Sequence, residues 1–252
     1  MFGATHGILI DVTRCIGCRS CVLACMERHG VDDDPEDVLA LSARHRTAMV
    51  EYDGGYARRM CMHCVDPSCA SVCPVEALIK NPGGAVTYDA SRCLGCRYCI
   101  QACPFNVPRY EWDNPVPAVS KCDLCHERTE RGELPACVDA CPAEALLYGP
   151  REELLAEAHQ RIADDPGSYV PHVFGETELG GTSVLFLSPV PFEQLGFPAD
   201  LGDQPFTMLT GEALDRVPGI VVVGGSVLWA IWWISRRREE VAAAEAAGED
   251  VA

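Results

Sequence analysis

The chain has 252 residues and a formal net charge of −17 at neutral pH. This length allows one large domain or two small domains with ordinary hydrophobic cores, so no metal site is needed to compensate for a small core. After residue 150 there are seventeen acidic residues against six arginines and no lysine. An extended basic surface for phosphate backbones is therefore excluded, and we expect no nucleic-acid partner.

The region before the first cysteine, "MFGATHGILIDVTRC", contains no charged n-region, twin arginine or apolar run of signal-peptide length. We therefore expect no export signal of its own, and export together with a partner that has one. Short β-prone stretches follow along the chain, namely "HGILIDV", "RTAMVEY", "ALIK", "GAVTYDA" and "ALLYG". They predict small hairpins and short helices, an α+β class. The acidic run "DDDPED" is expected to be a solvated loop.

The chain contains an internal repeat. The stretch "DVTRCIGCRSCVLAC" (11–25) aligns without a gap on "DASRCLGCRYCIQAC" (89–103), and "CPVEAL" (73–78) corresponds to "CPAEAL" (141–146). A unit of two cysteine motifs is therefore used twice.

All sixteen cysteines lie between residues 15 and 141, in four groups of four. The third group reads CxxCxxCxxxCP, the bacterial [4Fe–4S] run whose fourth cysteine ligates the other cluster of a pair. One tight loop can reach three corners of a cubane only if the ligands recur every third residue. The groups are Cys15, Cys18, Cys21 and Cys25; Cys61, Cys64, Cys69 and Cys73; Cys93, Cys96, Cys99 and Cys103; and Cys122, Cys125, Cys137 and Cys141.

Local geometry can also be predicted for these loops. Gly17 and Gly95 are expected to adopt positive φ and to direct backbone N–H groups toward cluster sulfur. The fourth cysteine of a group is expected to open a short helix that faces away, with Pro74, Pro104 or Pro142 following it. Two other interpretations of the cysteines remain, zinc and disulfides. Structural zinc has no use for a third cysteine in register, and disulfide frameworks normally accompany a signal peptide in a small chain.

The C-terminal part differs from the cysteine-rich part. The stretch "REELLAEAHQRIADDPG" predicts an amphipathic surface helix that ends before Gly167. Residues 168–216 are rich in Pro and Gly and show little core pattern, so they are expected to run extended over the cysteine modules or a partner subunit. Residues 217–234 carry no charge, which predicts a membrane helix or else a buried core helix. Three tryptophans followed by Arg236, Arg237 and Arg238 favour a membrane helix with a cytoplasmic end.

These motifs, with "CMHCVDPSCASVCPVEAL", "CRYCIQACPFNVPRY" and "GGTSVLFLSPVPFEQLGFP", closely resemble the four-cluster ferredoxin-like electron-transfer subunits of membrane-bound respiratory oxidoreductases. The likeness covers nearly the whole chain. It is strongest to the iron–sulfur subunit of hydrogenase-2-type nickel–iron hydrogenases, followed by the β subunit of formate dehydrogenase N. The resemblance implies an α+β fold of two bacterial-ferredoxin-like 2[4Fe–4S] modules with a single C-terminal transmembrane helix.

The resemblance also implies how four [4Fe–4S] clusters are shared among the motifs, first with fourth and second with third. One departure from the family pattern is Met26, which stands where a proline would follow Cys25. The implied ligand sets are site A, Cys15, Cys18, Cys21 and Cys141; site B, Cys25, Cys122, Cys125 and Cys137; site C, Cys61, Cys64, Cys69 and Cys103; and site D, Cys73, Cys93, Cys96 and Cys99.

The implied function is electron transfer, without substrate chemistry on this chain, between a catalytic subunit and a quinone-reactive integral membrane subunit. The catalytic subunit would be a nickel–iron hydrogenase or a molybdopterin or tungstopterin oxidoreductase such as formate dehydrogenase. The cluster domain would lie on the periplasmic face of the cell membrane. A stand-alone membrane-tethered polyferredoxin and a zinc-bound scaffold are the alternatives. The expected domains are 1–30 with 118–150, 50–117, 151–216, the membrane helix 217–235 and a cytoplasmic tail 236–252.

Six other residues near the motifs have candidate supporting roles. His63 and His126 lie inside ligand loops and are expected to form hydrogen bonds or shield the site. Arg19, Arg97, Tyr98 and Arg109 flank the motifs and would tune reduction potential or form ordinary surface ion pairs.

Overall fold

The computed structural model describes residues 5–114 and 118–247, with the backbone alone for 210–215 and 247. The chain divides into two compact units, 1–207 and 208–252. The strands are β1 His6–Asp11, β2 Ala48–Tyr52, β3 Gly55–Arg59, β4 Leu78–Lys80, β5 Val86–Tyr88, β6 Arg109–Tyr110, β7 Val119–Ser120, β8 Leu146–Pro150 and β9 Val184–Leu187. The α-helices are α1 Ser20–Arg28, α2 Ser68–Ser71, α3 Tyr98–Gln101, α4 His126–Glu130, α5 Ala136–Asp139, α6 Arg151–Asp164 and α7 Phe206–Ala247, and short 3₁₀ turns cover Val12–Arg14, Pro35–Asp37, Ala90–Arg92 and Glu178–Gly180.

The core of the first unit is built on a three-stranded sheet in the order β8-β1-β9. Strand β1 pairs antiparallel with β8 and parallel with β9. The centre of β1, residues 8–10, and all of β9 are continuous apolar runs because helix α6 covers one face of the sheet and the cysteine-rich loops cover the other. The sheet therefore links the chain before the first cysteine group to the chain after the fourth.

The same kind of strand pair occurs at the other half of the repeat. Strand β4 follows the second cysteine group and pairs antiparallel with β5, which precedes the third group. Likewise, β8 follows the fourth group and pairs with β1, which precedes the first. Each antiparallel pair thus brings the end of one CP motif to the start of a CxxCxxC motif.

The segment 168–205 is part of the core, and the expectation that it has little core pattern is wrong. Val173, Phe174 and all of β9 are buried, as are Phe192 and Phe197. Phe174 lies 4.7 Å from Phe197, ring centre to ring centre. The apolar stretches between the glycines and prolines are only a few residues long, so they are too short to show a helix or strand periodicity although each is buried.

Helix α6 is amphipathic, as predicted, and ends before Gly167. It buries Leu154 and Ala158 against the sheet. Arg161 reaches back to the end of β1, where its guanidinium lies 2.8 Å from the fully buried carboxylate of Asp11. Because this carboxylate is out of water, the ion pair fixes the turn that leads into the first cysteine loop.

The apolar C-terminal stretch lies within helix α7, which already begins at Phe206. Residues 206–216 are thus helical and not extended, and the boundary between the two units falls at 207 and 208 instead of 216. The stretch Arg216–Ala246 is long and apolar enough to cross a membrane, and none of its apolar window is buried in the protein. The alternative of a buried core helix is therefore wrong.

Candidate metal centres

All sixteen cysteines lie in the described part of the chain, and all are free thiols. The disulfide interpretation is therefore wrong. Most of the thiols are buried or half-buried, whereas Cys18 and Cys96 are exposed. These two cysteines occupy the same position in the two copies of the repeat.

The four loops share one backbone feature, a left-handed residue directly before the second cysteine. Gly17 and Gly95 both have φ of 70°, which confirms the prediction made for them. The other two loops place His63 (φ 50°) and Leu124 (φ 56°) at this position, where the sequence gives no glycine to indicate it. The shared conformation turns the backbone so that N–H groups face the sulfur atoms.

Backbone N–H groups donate to cysteine sulfur in several loops. Such bonds stabilise the thiolate over the thiol, and around an iron–sulfur cluster they raise its reduction potential. The N–H donors and their N···Sγ distances are Ala77 to Cys73 at 3.2 Å, and Gly95 to Cys93, Leu124 to Cys122 and Ala136 to Cys125, each at 3.4 Å.

Each third cysteine lies inside a short helix, and in three groups the fourth cysteine follows the end of that helix by two residues. The prediction that the fourth cysteine opens a helix is therefore wrong. Proline after the fourth cysteine cannot continue the backbone hydrogen bonding. In the first group Met26 replaces that proline, and α1 continues through Cys25 to Arg28.

The first and fourth groups meet at one cavity, which is lined by Cys15, Cys18, Cys21 and Cys141. Burial raises the pKa of Cys15, and the neighbouring thiols of Cys141 and Cys18 raise it further. These are the four cysteines of site A.

Cys25 faces the fourth group and not its own. Burial raises its pKa to about 12, and the nearby thiols of Cys137 and Cys125 add to this effect. Cys122 lies close to Cys25 and Cys137. The structure thus brings together the four cysteines of site B.

The second and third groups exchange their fourth cysteines in the same way. Burial raises the pKa of Cys64, and the next contributions come from Cys61, Cys103 and Cys69, the other members of site C.

At site D, burial raises the pKa of Cys99 to about 11, followed by the effects of Cys93, Cys96 and Cys73. The structure therefore brings together, in proximity, all four sets that the resemblance implies.

The spacing within these sets matters for the kind of metal centre. Among residues 5–114 and 118–247, no three Cys, His, Asp or Glu side chains converge as the ligands of a single ion would. Thiolates of a cubane bind four different iron corners, and so stand farther apart than the ligands of one zinc ion. Four thiols per set, with N–H donors aimed at sulfur, fit a [4Fe–4S] cluster.

Comparison with known proteins agrees with this geometry. Two models of a 4Fe–4S dicluster domain match residues 14–77 and 52–151, which together include every cysteine. The hydrogenase-2 operon protein HybA of Escherichia coli O157:H7 is 41% identical over 76% of this chain and 72% of its own length. The iron–sulfur subunit of the nitrate-inducible formate dehydrogenase of E. coli K12 is 38% identical over 71% of this chain and 66% of its own. The chain belongs to this family of iron–sulfur subunits.

Another relative extends the likeness beyond the cysteines. A protein from Nitratidesulfovibrio vulgaris is 41% identical over 96% of this chain and 70% of its own length. In this chain, the 4Fe–4S dicluster region is followed by a C-terminal helix that is long and apolar enough to cross a membrane.

The residues that flank the motifs have mixed roles. The side chain of His63 is buried, and its Nδ1 accepts a hydrogen bond from the Val86 N–H at 2.9 Å, as expected for a structural histidine. The Nε2 of His126 instead lies 3.4 Å from a carboxylate oxygen of Glu130.

Of the four flanking residues singled out by the sequence, Arg19 is buried and lines the cavity of site A, whereas Arg97 and Tyr98 are exposed and Arg109 is half-buried. Their contacts are Arg19 with Glu36 at 2.8 Å, Arg97 above the ring of Trp112 at 4.9 Å, Arg109 with the carbonyl oxygen of Leu41 at 3.1 Å, and Tyr98 largely exposed.

Sequence reasoning missed three cations beside the cysteines, namely the buried Arg58 and Lys121 and the half-buried Lys80. Arg58 is 3% exposed, and its Nε donates to Thr47 Oγ1 at 2.7 Å. Although burial opposes its charge, the neighbouring thiols of Cys137 and Cys21 raise the pKa of Arg58. It thus places a positive charge between sites A and B. A signal for the other two was available, because Lys80 and Lys121 are the only lysines in the sequence.

The close fit around Gly17 gives a test of the loop geometry. A Cβ at residue 17 would lie 2.3 Å from the Tyr56 ring in a backbone with φ of +70°. We expect Gly17→Ala to lower the iron bound per chain and the thermal unfolding midpoint, since the left-handed conformation alone costs about 1 kcal/mol and the clash adds to it.

The matched control is Gly30→Ala, which has a similar φ of +64° with nothing within 4 Å of the new Cβ. Gly95→Ala should be intermediate, because its Cβ would meet only the hydroxyl end of Tyr110 at 2.9 Å. Equal iron content and equal midpoints for Gly17→Ala and Gly30→Ala would contradict this account.

Proposed function

We propose that this chain is the electron-transfer subunit of a membrane-bound respiratory complex and holds four [4Fe–4S] clusters at sites A to D. A [4Fe–4S] cluster takes up and gives up one electron at a time. The observation that carries the proposal is the convergence of sixteen free thiols into four sets of four in a member of this family. The chain supplies the ligands, the N–H donors and the buried charges, and it keeps water away.

The proximity of thiols from different sites supports a linear order, A–B–C–D. Cys21 of site A interacts with Cys137 of site B, and Cys122 of site B interacts with Cys61 of site C. The last link, from site C to site D, is between Cys69 and Cys99. We therefore infer that an electron enters at one end of this row and leaves at the other.

Exposure at sites A and D supports their assignment as the two ends. Cys18 and Cys96 are exposed, and beside them Ile16 and Leu94 expose 64% and 70% of their surface. Sites B and C hold only buried or half-buried cysteines. Large exposed apolar side chains next to a cluster ligand are suited to contact with another protein, because they exclude water along the electron path.

Two kinds of catalytic partner fit the family, a nickel–iron hydrogenase and a formate dehydrogenase. The names of the relatives support both. We assign the substrate chemistry to that partner and propose a quinone-reactive integral membrane subunit as the other partner. The segment 168–205 gives no argument against a stand-alone polyferredoxin, because it packs into the chain's own core and is not an extended surface for a partner. Two exposed ends and membership of a family of complex subunits favour the relay.

Helix α7 supports attachment to the cell membrane. Trp229, Trp232 and Trp233 are each more than half exposed, as interfacial side chains would be. The arginines at 236–238 follow at once and favour a cytoplasmic C-terminus. We therefore place the cysteine-rich unit on the periplasmic side.

The exchange of fourth cysteines can be tested with Cys141→Ala. Without the Cys141 ligand, site A should lose its cluster or hold it weakly, so the exposed thiol of Cys18 should become open to alkylation. Cys122 and Cys125 should remain protected, since site B draws its fourth ligand from Cys25. The measurement is mass-spectrometric mapping of alkylated cysteines together with iron per chain, which should fall by about four irons.

The matched variant is Cys137→Ala, which should expose Cys122 and Cys125 and leave Cys18 protected. A zinc site local to residues 122–141 predicts instead that Cys141→Ala exposes Cys122 and Cys125. That outcome, or visible absorption that does not bleach with dithionite, would contradict the proposal.

The identity of the complex can be settled by the subunits that co-purify with the full chain from detergent-solubilised membranes. We expect one catalytic subunit and one integral membrane subunit. Nickel in the purified material would identify a hydrogenase, and molybdenum or tungsten would identify a pterin enzyme. Recovery of the chain alone, with its clusters present, would favour the stand-alone polyferredoxin.

The orientation predicts the result of proteolysis in sealed membrane vesicles of known sidedness. Protease added to the periplasmic face should digest the cysteine-rich unit, whereas protease on the cytoplasmic face should remove only residues after Arg238. Digestion of residues 1–207 from the cytoplasmic side would overturn the assigned orientation. A tag at the C-terminus, which should be removed only by protease added to the cytoplasmic face, serves as the internal control.

A further inference from the structure

The two lysines of this chain lie beside the same candidate site. They are the only lysines in a sequence with 20 basic and 37 acidic residues. Lys80 ends strand β4, and Lys121 directly precedes Cys122. The Lys121 residue is 4% exposed and Lys80 is half-buried. Since lysine is normally a surface residue, two such placements next to one site require an explanation.

Lys80 is bound as an ammonium ion to the second cysteine loop. Its Nζ donates to the carbonyl oxygens of His63 at 3.1 Å, Cys64 at 2.8 Å and Gly84 at 2.8 Å. It also lies 3.2 Å from the hydroxyl of Ser183. Three carbonyl acceptors call for three N–H donors, which the protonated amine supplies. The contacts therefore fix a positive charge against the loop that carries two ligands of site C.

Lys121 adds a second positive charge. Its Nζ donates to the carbonyl oxygen of Cys122 at 2.9 Å and to that of Val86. Its charge also acts on the thiols of Cys69 and Cys103, the two remaining ligands of site C. Between them, the ammonium groups of Lys80 and Lys121 act on all four thiols of that site.

The side chain of His63 gives an independent indication of a bound group at site C. The ring is fully buried near both lysines, and Nδ1 accepts from the Val86 N–H, so the ring proton is assigned to Nε2. Within residues 5–114 and 118–247 this Nε2 has no hydrogen-bond partner. A buried N–H donor next to Cys64 is expected to have an acceptor, and cluster sulfur would provide one.

The positive charge beside the other sites is shared, paired or exposed. Arg58 is buried between sites A and B, and the buried Arg19 beside site A is paired with Glu36 at 2.8 Å. At site D the nearby Arg92 is largely exposed and paired with Glu76 at 3.3 Å, and Arg97 is exposed as well. Solvent and salt screen such charges, whereas buried ones act in a medium of lower dielectric constant.

We propose that Lys80 and Lys121 give the cluster at site C the highest reduction potential of the four, so that the interior of the relay, and not either end, holds the electron most strongly. This inference rests on the proposed function. One-electron reduction adds one negative charge to that cluster, and the neighbouring cluster that gives up this electron is oxidised. No bond forms or breaks and no proton is needed. The two fixed ammonium groups stabilise the reduced form over the oxidised form.

The test is an electron paramagnetic resonance redox titration of the purified complex with Lys80→Gln and Lys121→Gln, compared with Lys80→Arg and Lys121→Arg. Each neutral variant should lower the equilibrium constant for reduction of the highest-potential cluster about tenfold, a shift of about 59 mV for one electron. The potentials at sites A and D should stay in place, and the potential at site B should shift less than that at site C, since Lys121 also donates to the Cys122 carbonyl oxygen. The arginine variants should resemble the unmodified protein. Cys64→Ser identifies the signal of site C by altering it.

Arg92→Gln is the control for removal of a positive charge at an exposed position, and it should leave the highest potential unchanged. An unchanged highest potential in both glutamine variants with full iron content would overturn the inference while leaving the relay intact. Loss of iron in both glutamine variants but not in the arginine variants would show that the lysines only hold the loop, and would overturn it too. Absence of four clusters in the unmodified protein would instead overturn the proposed function.

Discussion

The cost of placing ionisable sulfur inside a protein is the constraint on which this structure depends. Burial raises the pKa of Cys21 to about 11 and that of Cys69 to about 12, so these thiols would not ionise at neutral pH by themselves. They can serve as thiolate ligands only if iron and nearby donors compensate for lost hydration. Backbone N–H groups aimed at sulfur and the cations Arg58, Lys80 and Lys121 supply part of that compensation. The left-handed residues and short helices of the loops follow from this need.

The sheet β8-β1-β9 holds the loops in place. It connects the start of the first cysteine loop to the end of the fourth and adds the later strand β9 from a different part of the chain. Arg161 and Tyr169 both bind the buried Asp11 carboxylate at the exit of β1. The segment after the cysteines therefore stabilises the cysteine-rich part and is not merely a surface for partners.

The two copies of the internal repeat match in their cysteine ligands but differ in the residues around those ligands. Asp11 and Asp89 cap equivalent 3₁₀ turns, yet Asp11 is fully buried and Asp89 is exposed. Arg58, Lys80 and Lys121 are likewise not repeated, since Arg58 lies between sites A and B whereas the two lysines lie beside site C. If four similar clusters differ in reduction potential, the differences come from these unrepeated residues and not from the cysteine motifs.

The sequence by itself determined the features that depend on neighbours along the chain. Ligand spacing and the positive φ of Gly17 and Gly95 are local, and so is the amphipathic pattern of α6, so each could be predicted correctly. The prediction that the fourth cysteine opens a helix was wrong, because in three groups the helix contains the third cysteine and ends two residues before the fourth. Only the tertiary structure decided the burial of apolar side chains between 173 and 197, the approach of loops far apart in sequence, and the position of cations beside the thiols. Those depend on packing between distant segments, which no local pattern encodes.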